Sequence, residues 1–203
     1  TKTDYQDFGK EVFPASIRSR HVQVHLFDGY WEDIGTVKAF FDANLQLTQP
    51  GSPFELNSPD APVFSQPRFL PPTLMSGATV KESLIADGCR IEAGAIIENS
   101  VIGLRCHIGA NAVIRNSVIM GADFFETEDA IAANTAKGIP PVGIGAGAVV
   151  EGAILDKNCR IAAGAKVVNP RGLVDTPDSG TAVVRDGIIV VPKETTVPAN
   201  WSL

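Results

Sequence analysis

The chain has 203 residues, 44% hydrophobic and 20% charged, with a formal net charge of −6. That length suits one medium domain or two small ones, the composition is not that of a disordered segment, and no apolar run reaches the ~18 residues a membrane helix needs. The acidity is uneven: residues 1–143 hold 11 basic against 17 acidic side chains and residues 144–203 six of each, which disfavours a nucleic-acid partner for either part. A chain that begins at Thr1, with neither a basic leader nor an apolar signal segment, is expected to be an internal fragment or a processed product.

Val22, Val24 and Leu26 alternate with polar residues as a half-buried strand would, and Asp28-Gly29 supplies a turn. The next segment, Tyr30-Trp31-Glu32-Asp33-Ile34-Gly35-Thr36, sets two adjacent carboxylates between an aromatic pair and a glycine. Thr36 is placed to cap a helix whose apolar face is Val37, Phe40, Phe41 and Leu45, with Leu47 near its end. The carboxylates are therefore expected at a strand-to-helix turn. Such a turn suits a hard divalent cation bridging phosphates, because Mg²⁺ takes one or two carboxylates plus substrate oxygens. The plainer reading of the same residues is a solvated acidic loop.

Gln49–Pro72 holds seven prolines, Pro50, Pro53, Pro59, Pro62, Pro67, Pro71 and Pro72. Proline fixes φ and removes a donor, so residues 49–73 read as an extended linker, and Phe54, Phe64 and Phe69 suggest that it packs against something.

From Leu74 a different regularity takes over. Aliphatic residues fall at Leu74, Val80, Ile85, Ile91, Ile97, Ile102, Ile108, Ile114 and Ile119, in steps of six and five that repeat every seventeen residues. Small residues follow the first eight, four places on in the six-residue steps (Ala78, Cys89, Ala95, Cys106, Ala112) and three places on in the five-residue steps (Ser83, Ser100, Ser117). This is the pattern of a hexapeptide parallel β-helix over residues 74–203. It breaks near residues 121–143 and returns at Ile144, Val150, Leu155, Ile161 and Val167. The first insertion is acidic and contains a helical candidate, Asp129–Lys137. A second excursion, at 169–186, precedes a closing apolar strand, Ile188–Val191. Cys89, Cys106 and Cys159 all fall at the small-residue position, which reads as packed thiols rather than metal ligands or disulfide partners. Gly143-Ile144-Gly145-Ala146-Gly147 matches neither dinucleotide-binding nor Walker spacing and reads as corner glycines.

In this order, an acidic turn before a helix, a proline-rich crossing and a hexapeptide solenoid resemble the C-terminal portion of ADP-glucose pyrophosphorylases (glucose-1-phosphate adenylyltransferases). The segments that carry the resemblance are Asp7-Phe8-Gly9-Lys10-Glu11, Tyr30–Thr36, Arg68-Phe69-Leu70-Pro71-Pro72, Met120-Gly121-Ala122-Asp123, Pro141-Val142-Gly143-Ile144-Gly145 and Asp156-Lys157-Asn158-Cys159-Arg160-Ile161. The resemblance implies that residues 1–48 are the C-terminal edge of an α/β nucleotidyltransferase domain, joined by the linker to a left-handed β-helix serving assembly as a homo- or hetero-tetramer. It implies synthesis of ADP-glucose and pyrophosphate from ATP and glucose 1-phosphate, with Mg²⁺, for starch or glycogen. On this chain, Asp33 would be a metal and substrate ligand, with Trp31 and Glu32 beside it in the sugar pocket. Lys157, Arg160 and Lys193 would bind regulatory anions such as 3-phosphoglycerate and phosphate. The protein would be soluble, in the plastid stroma of a plant or alga or in the cytoplasm of a bacterium. With no nucleotide-gripping loop in residues 1–35, the 203 residues alone are expected to be inactive.

Two other readings stand beside this one. A non-catalytic regulatory or scaffold subunit of the same complex fits the same residues. A hexapeptide-repeat acyltransferase would need His107, the one histidine in the ladder, as its base.

Overall fold

The computed structural model describes residues 3–203. The chain divides into two compact units, Thr1–Trp31 and Glu32–Leu203. In the first, a π-type turn, Phe8–Val12, runs into helix α1, Phe13–Ile17. Asp7 Oδ1 accepts from Lys10 N at 2.6 Å, and Glu11 Oε2 accepts from the N–H groups of Gln6 and Asp7 at 2.7 and 2.8 Å, a reciprocal pair that satisfies donors left over at a helix start. The expected strand does not form. Val22, Val24 and Leu26 are 39%, 85% and 83% exposed, and no strand among the described residues pairs with them. A strand needs a neighbour for its N–H and C=O groups, so alternation alone cannot make one.

In the second unit, helix α2, Val37–Gln46, starts where the sequence places it: Thr36 Oγ1 accepts from Ala39 N at 3.1 Å. Its predicted apolar face is the buried one. Phe41 packs with Val118, Ile154 and Ile188 of the β-helix, flanked by Val37, Phe40 and Leu45. Just past its end, Thr48 Oγ1 and Gln49 Nε2 donate to Asn99 Oδ1 at 3.0 and 2.5 Å, and Asn99 donates in turn to Asn116 Oδ1 at 2.7 Å. The linker that follows has no regular structure before Leu74. Its phenylalanines are not packed as expected: Phe54, Phe64 and Phe69 are 44%, 91% and 95% exposed. Prolines keep the segment out of helix and sheet, but turns closed by Ser52 N to Gln49 O and Ala61 N to Ser58 O interrupt it, so it is not extended throughout as expected.

The β-helix has three parallel faces. The first is built from Leu74–Met75, Arg90–Ile91, His107–Ile108, Gly143–Ile144, Arg160–Ile161 and Thr196–Val197. The second contains Thr79–Lys81, Ile96–Glu98, Val113–Arg115, Val149–Glu151 and Lys166–Val167. The third runs Leu84–Ile85, Val101–Ile102, Val118–Ile119, Ala153–Leu155 and Ile188–Val191. The ladder residues stack at the centre. Ile91, Ile97, Ile102, Ile108 and Ile114 are at most 1% exposed, and each such side chain contributes about 1.5–3 kcal/mol by leaving water. The small residues occupy the corners. Serines there relay bonds from coil to coil, Ser83 Oγ accepting from Ser100 N, Ser100 Oγ from Ser117 N and Ser117 Oγ from Ala153 N, at 3.1, 3.1 and 3.2 Å.

The ladder slips at its first rung. Met75, not Leu74, pairs with Ile91, while Val80 and Ile85 pair with Ile97 and Ile102 as the repeat requires. Leu74 keeps the seventeen-residue spacing to Ile91 and Met75, sixteen residues away, does not, so the first coil is one residue short and only its pairing with the next coil reveals it.

Both insertions leave and rejoin the coil in register: Ile108 pairs with Ile144, and Leu155 with Val191. The helix in the first insertion, α3, is Glu128–Thr135, beginning one residue before the expected span, with Thr127 Oγ1 accepting from Ala130 N at 3.2 Å. The second excursion contains an unexpected strand, Val183–Arg185, antiparallel to Ile188–Val191. Ile188–Val191 is also not the last rung, because Thr196–Val197 follows it.

Candidate functional site

Glu32 and Asp33 lie in the irregular segment just before α2. Asp33 folds back on its own turn, its Oδ1 accepting from Gly35 N at 3.0 Å. Glu32 edges an open groove along α2 that also meets Lys38, Asp42, Gln46 and Asp186. Trp31 closes the first unit and is 74% exposed. Asp33 thus keeps one carboxylate oxygen free of its turn, enough for one bond to Mg²⁺ if phosphate oxygens and water supply the others. Among the described residues no group of three or more His, Cys, Asp or Glu side chains is placed to hold a metal unaided.

The three basic residues expected to act together are separated by the fold. Lys157 and Lys193 converge: Lys157 Nζ lies 2.8 Å from Asp123 Oδ1 and Lys193 Nζ 2.9 Å from Asp123 Oδ2. Their meeting follows from the coil register. Each stands two residues beyond a paired position, Leu155 and Val191, so they occupy equivalent corners of successive coils although an excursion separates them in sequence. The lysine ammoniums, that of Lys157 first, hold the Asp123 carboxyl well below the usual carboxylate range, and Asp123 in turn raises Lys193.

Arg160 points elsewhere. It is largely buried against the first insertion, with Nη2 2.7 Å from Glu126 Oε1 and Nη1 donating to Pro140 O at 2.7 Å. Glu126 also accepts from Val142 N at 2.6 Å and from Asn134 Nδ2 at 3.2 Å, so one carboxylate fixes both ends of the insertion. Burial raises the Glu126 carboxyl, and the Val142 N–H and Arg160 more than offset it, leaving a net lowering.

Asp123 is the residue that spacing arguments did not single out. It leads the insertion, and the backbone before it is tightly set. Gly121 has φ of 81°, and a Cβ there would lie 2.2 Å from Leu104 O, so only glycine fits. Ala122 N donates to Leu104 O at 2.8 Å. Asn158, 4% exposed and with φ of 62°, braces the other side: its Oδ1 accepts from Asp123 N at 2.8 Å and its Nδ2 donates to Asp123 Oδ2 at 3.2 Å. The matched coil positions of Lys157 and Lys193 are the sequence signal that points here. Next to this cluster, Gln66, Arg68, Leu104, Arg105 and Met120 line a cleft of about 420 Å³ that reaches Asp123 and Lys157.

His107 stands on the outside of the first face, with Nε2 3.0 Å from Glu92 Oε1. It borders an apolar cleft of about 280 Å³ with Arg90, Arg105, Phe124 and Phe125. The cysteines are packed free thiols, as their coil position requires.

Two family models match the chain. One, described as the GLGC left-handed parallel beta-helix domain, covers residues 68–201, which gives the solenoid its left hand. The other, described as nucleotidyl transferase, covers residues 1–50. Among curated proteins, the large subunit 1 of glucose-1-phosphate adenylyltransferase, chloroplastic/amyloplastic, from Zea mays is 40% identical over 197 residues. The alignment takes in 96% of this chain and 38% of that protein.

Proposed function

The chain belongs to the family of GLGC left-handed parallel beta-helix domains, and from that premise we propose that it is the C-terminal part of a glucose-1-phosphate adenylyltransferase subunit, with the β-helix as its assembly and anion-response module. The full subunit would join ATP and glucose 1-phosphate into ADP-glucose and pyrophosphate, working as a homo- or hetero-tetramer. A plastid stroma is the proposed compartment in a plant or alga, in line with the name of the maize relative, and the cytoplasm in a bacterium.

The observation that carries the anion-response reading is the convergence of Lys157 and Lys193 on one point beside a cleft lined by Arg68 and Arg105. Two ammoniums within reach of one pair of oxygens suit phosphate or a phosphorylated acid such as 3-phosphoglycerate. Arg160, committed to Glu126, is left with the task of holding the first insertion. In the sugar-nucleotide site, Asp33 would give one carboxylate oxygen to Mg²⁺ and Glu32 would line the sugar side. The ion, when bound, neutralises phosphate charge, which is what nucleotidyl transfer chiefly needs.

The test uses the full-length subunit in its assembly. Lys157→Glu is expected to flatten the response to 3-phosphoglycerate and phosphate while leaving basal turnover in place, and an unchanged activation curve rejects the assignment. Asp33→Asn is expected to lower turnover by about tenfold or more. Unchanged turnover would favour the second reading, a regulatory or scaffold subunit, to which the large-subunit name of the relative lends support.

A further inference from the structure

We infer that Asp123 determines which anions the lysine pair accepts: its carboxylate fills the place of a bound ligand's oxygens, so a dianion displaces it and a monoanion does not. The inference rests on the anion-site reading of Lys157 and Lys193 given above.

Asp123 presents one oxygen to each lysine, at 2.8 and 2.9 Å, which is how two oxygens of a phosphate would be shared between them. Its backbone cannot leave, being held through Asn158 Oδ1 on one side and the Ala122–Leu104 bond on the other. Its side chain can. The carboxylate is 37% exposed and the lysines 46% and 49%, and ion pairs this open to water are weak enough to be exchanged. Among the described residues, the one other bond on the carboxylate is the long one from Asn158 Nδ2, at 3.2 Å.

Charge decides the outcome. With Asp123 in place the trio carries one net positive charge. A monoanion that takes its place leaves the balance where it was, after displacing a group whose backbone attachment keeps it at high effective concentration. A dianion gains a second charge against both ammoniums, and the adjoining cleft offers Arg68 and Arg105 to the rest of the ligand. Arg105 Nη1 is already turned toward Ala122 O at 3.1 Å, so it borders the site without closing it. Asp156 accepts from Lys157 N, and Glu194 follows Lys193 in the chain. Neither bridges the two ammoniums as Asp123 does.

The experiment is calorimetric titration of the full-length protein with inorganic phosphate at pH 8, repeated with acetate present as the competing monoanion. Asp123→Asn is expected to tighten phosphate binding about tenfold and to let acetate compete, whereas the native protein is expected to bind phosphate with no competition from acetate. Asp123→Ser should show the same order, and matched thermal midpoints establish that both variants are folded. Lys157→Gln/Lys193→Gln should abolish the gain, tying it to this pair. Phosphate binding that is the same in Asp123→Asn as in the native protein overturns the inference and leaves the lysine site standing. Weaker binding in both Asp123 variants also overturns it, since Asp123 then positions the lysines. Failure of the native protein and all variants to bind phosphate sinks the anion-site reading, and the inference with it.

Discussion

Lys157 and Arg160 are three residues apart and do opposite work. The corner at Asn158, in the left-handed region, turns the chain between them, so Lys157 faces solvent and Arg160 lies along the first face beneath the insertion. The side chains of the Arg160–Glu126 pair are 17% and 6% exposed, and removing one partner strands the other away from water. Arg160→Met should therefore cost about 3 kcal/mol in urea unfolding, whereas Lys157→Gln, on an open ion pair, should cost less than about 1 kcal/mol. The carboxyls of both Asp123 and Glu126 are held below their ordinary values in the fold. Groups of this kind add stability that is complete above the unfolded-state pKa and lost as pH falls through the folded one. Thermal midpoints should accordingly be flat from about pH 7 to 5 and drop below about pH 4, and the drop should be smaller in Glu126→Gln.

At the scale of elements, helix α2 shows what local sequence can determine. A threonine cap and an apolar face at helical spacing specify its start and its buried side, and both are as read. Thr36→Ala should cost about 1 kcal/mol and Phe41→Ala about 3 kcal/mol, measured by chemical unfolding, with the Phe41 change freeing the helix from the third face. The ladder was legible for a related reason: each buried aliphatic repeats in the next coil, so the pattern confirms itself many times over. At the end coil that check has one neighbour instead of two, and the spacing selects Leu74 where the pairing selects Met75. The Val22–Leu26 alternation has no pairing strand among the described residues. Convergence of Lys157 and Lys193 was legible only by counting coil positions, because the excursion between them hides it from motif spacing. The partner Asp123 sits where the repeat is interrupted, where periodicity says nothing.

At the scale of the molecule, the continuous stack makes the solenoid resist partial opening. Its core runs unbroken from Cys89 to Val197 through all three faces. The three thiols are distributed along that core, and burial pushes them up, Cys159 to about 12. At pH 8 none should react with Ellman's reagent in the native protein, and all three should react together at the rate of unfolding. Rapid labelling of one thiol alone would show that a coil opens independently.

The in-register return of both excursions has one more consequence. The exposed residues 177–180 can be lengthened or exchanged without moving Lys193 relative to Lys157, provided Val183–Arg185 stays paired with Ile188–Val191, because the two lysines are addressed by coil number and not by distance along the chain. Evolution can therefore redesign the outer contacts of such a protein and the placement of its paired lysines as separate problems, one written in the loops and the other in the rungs.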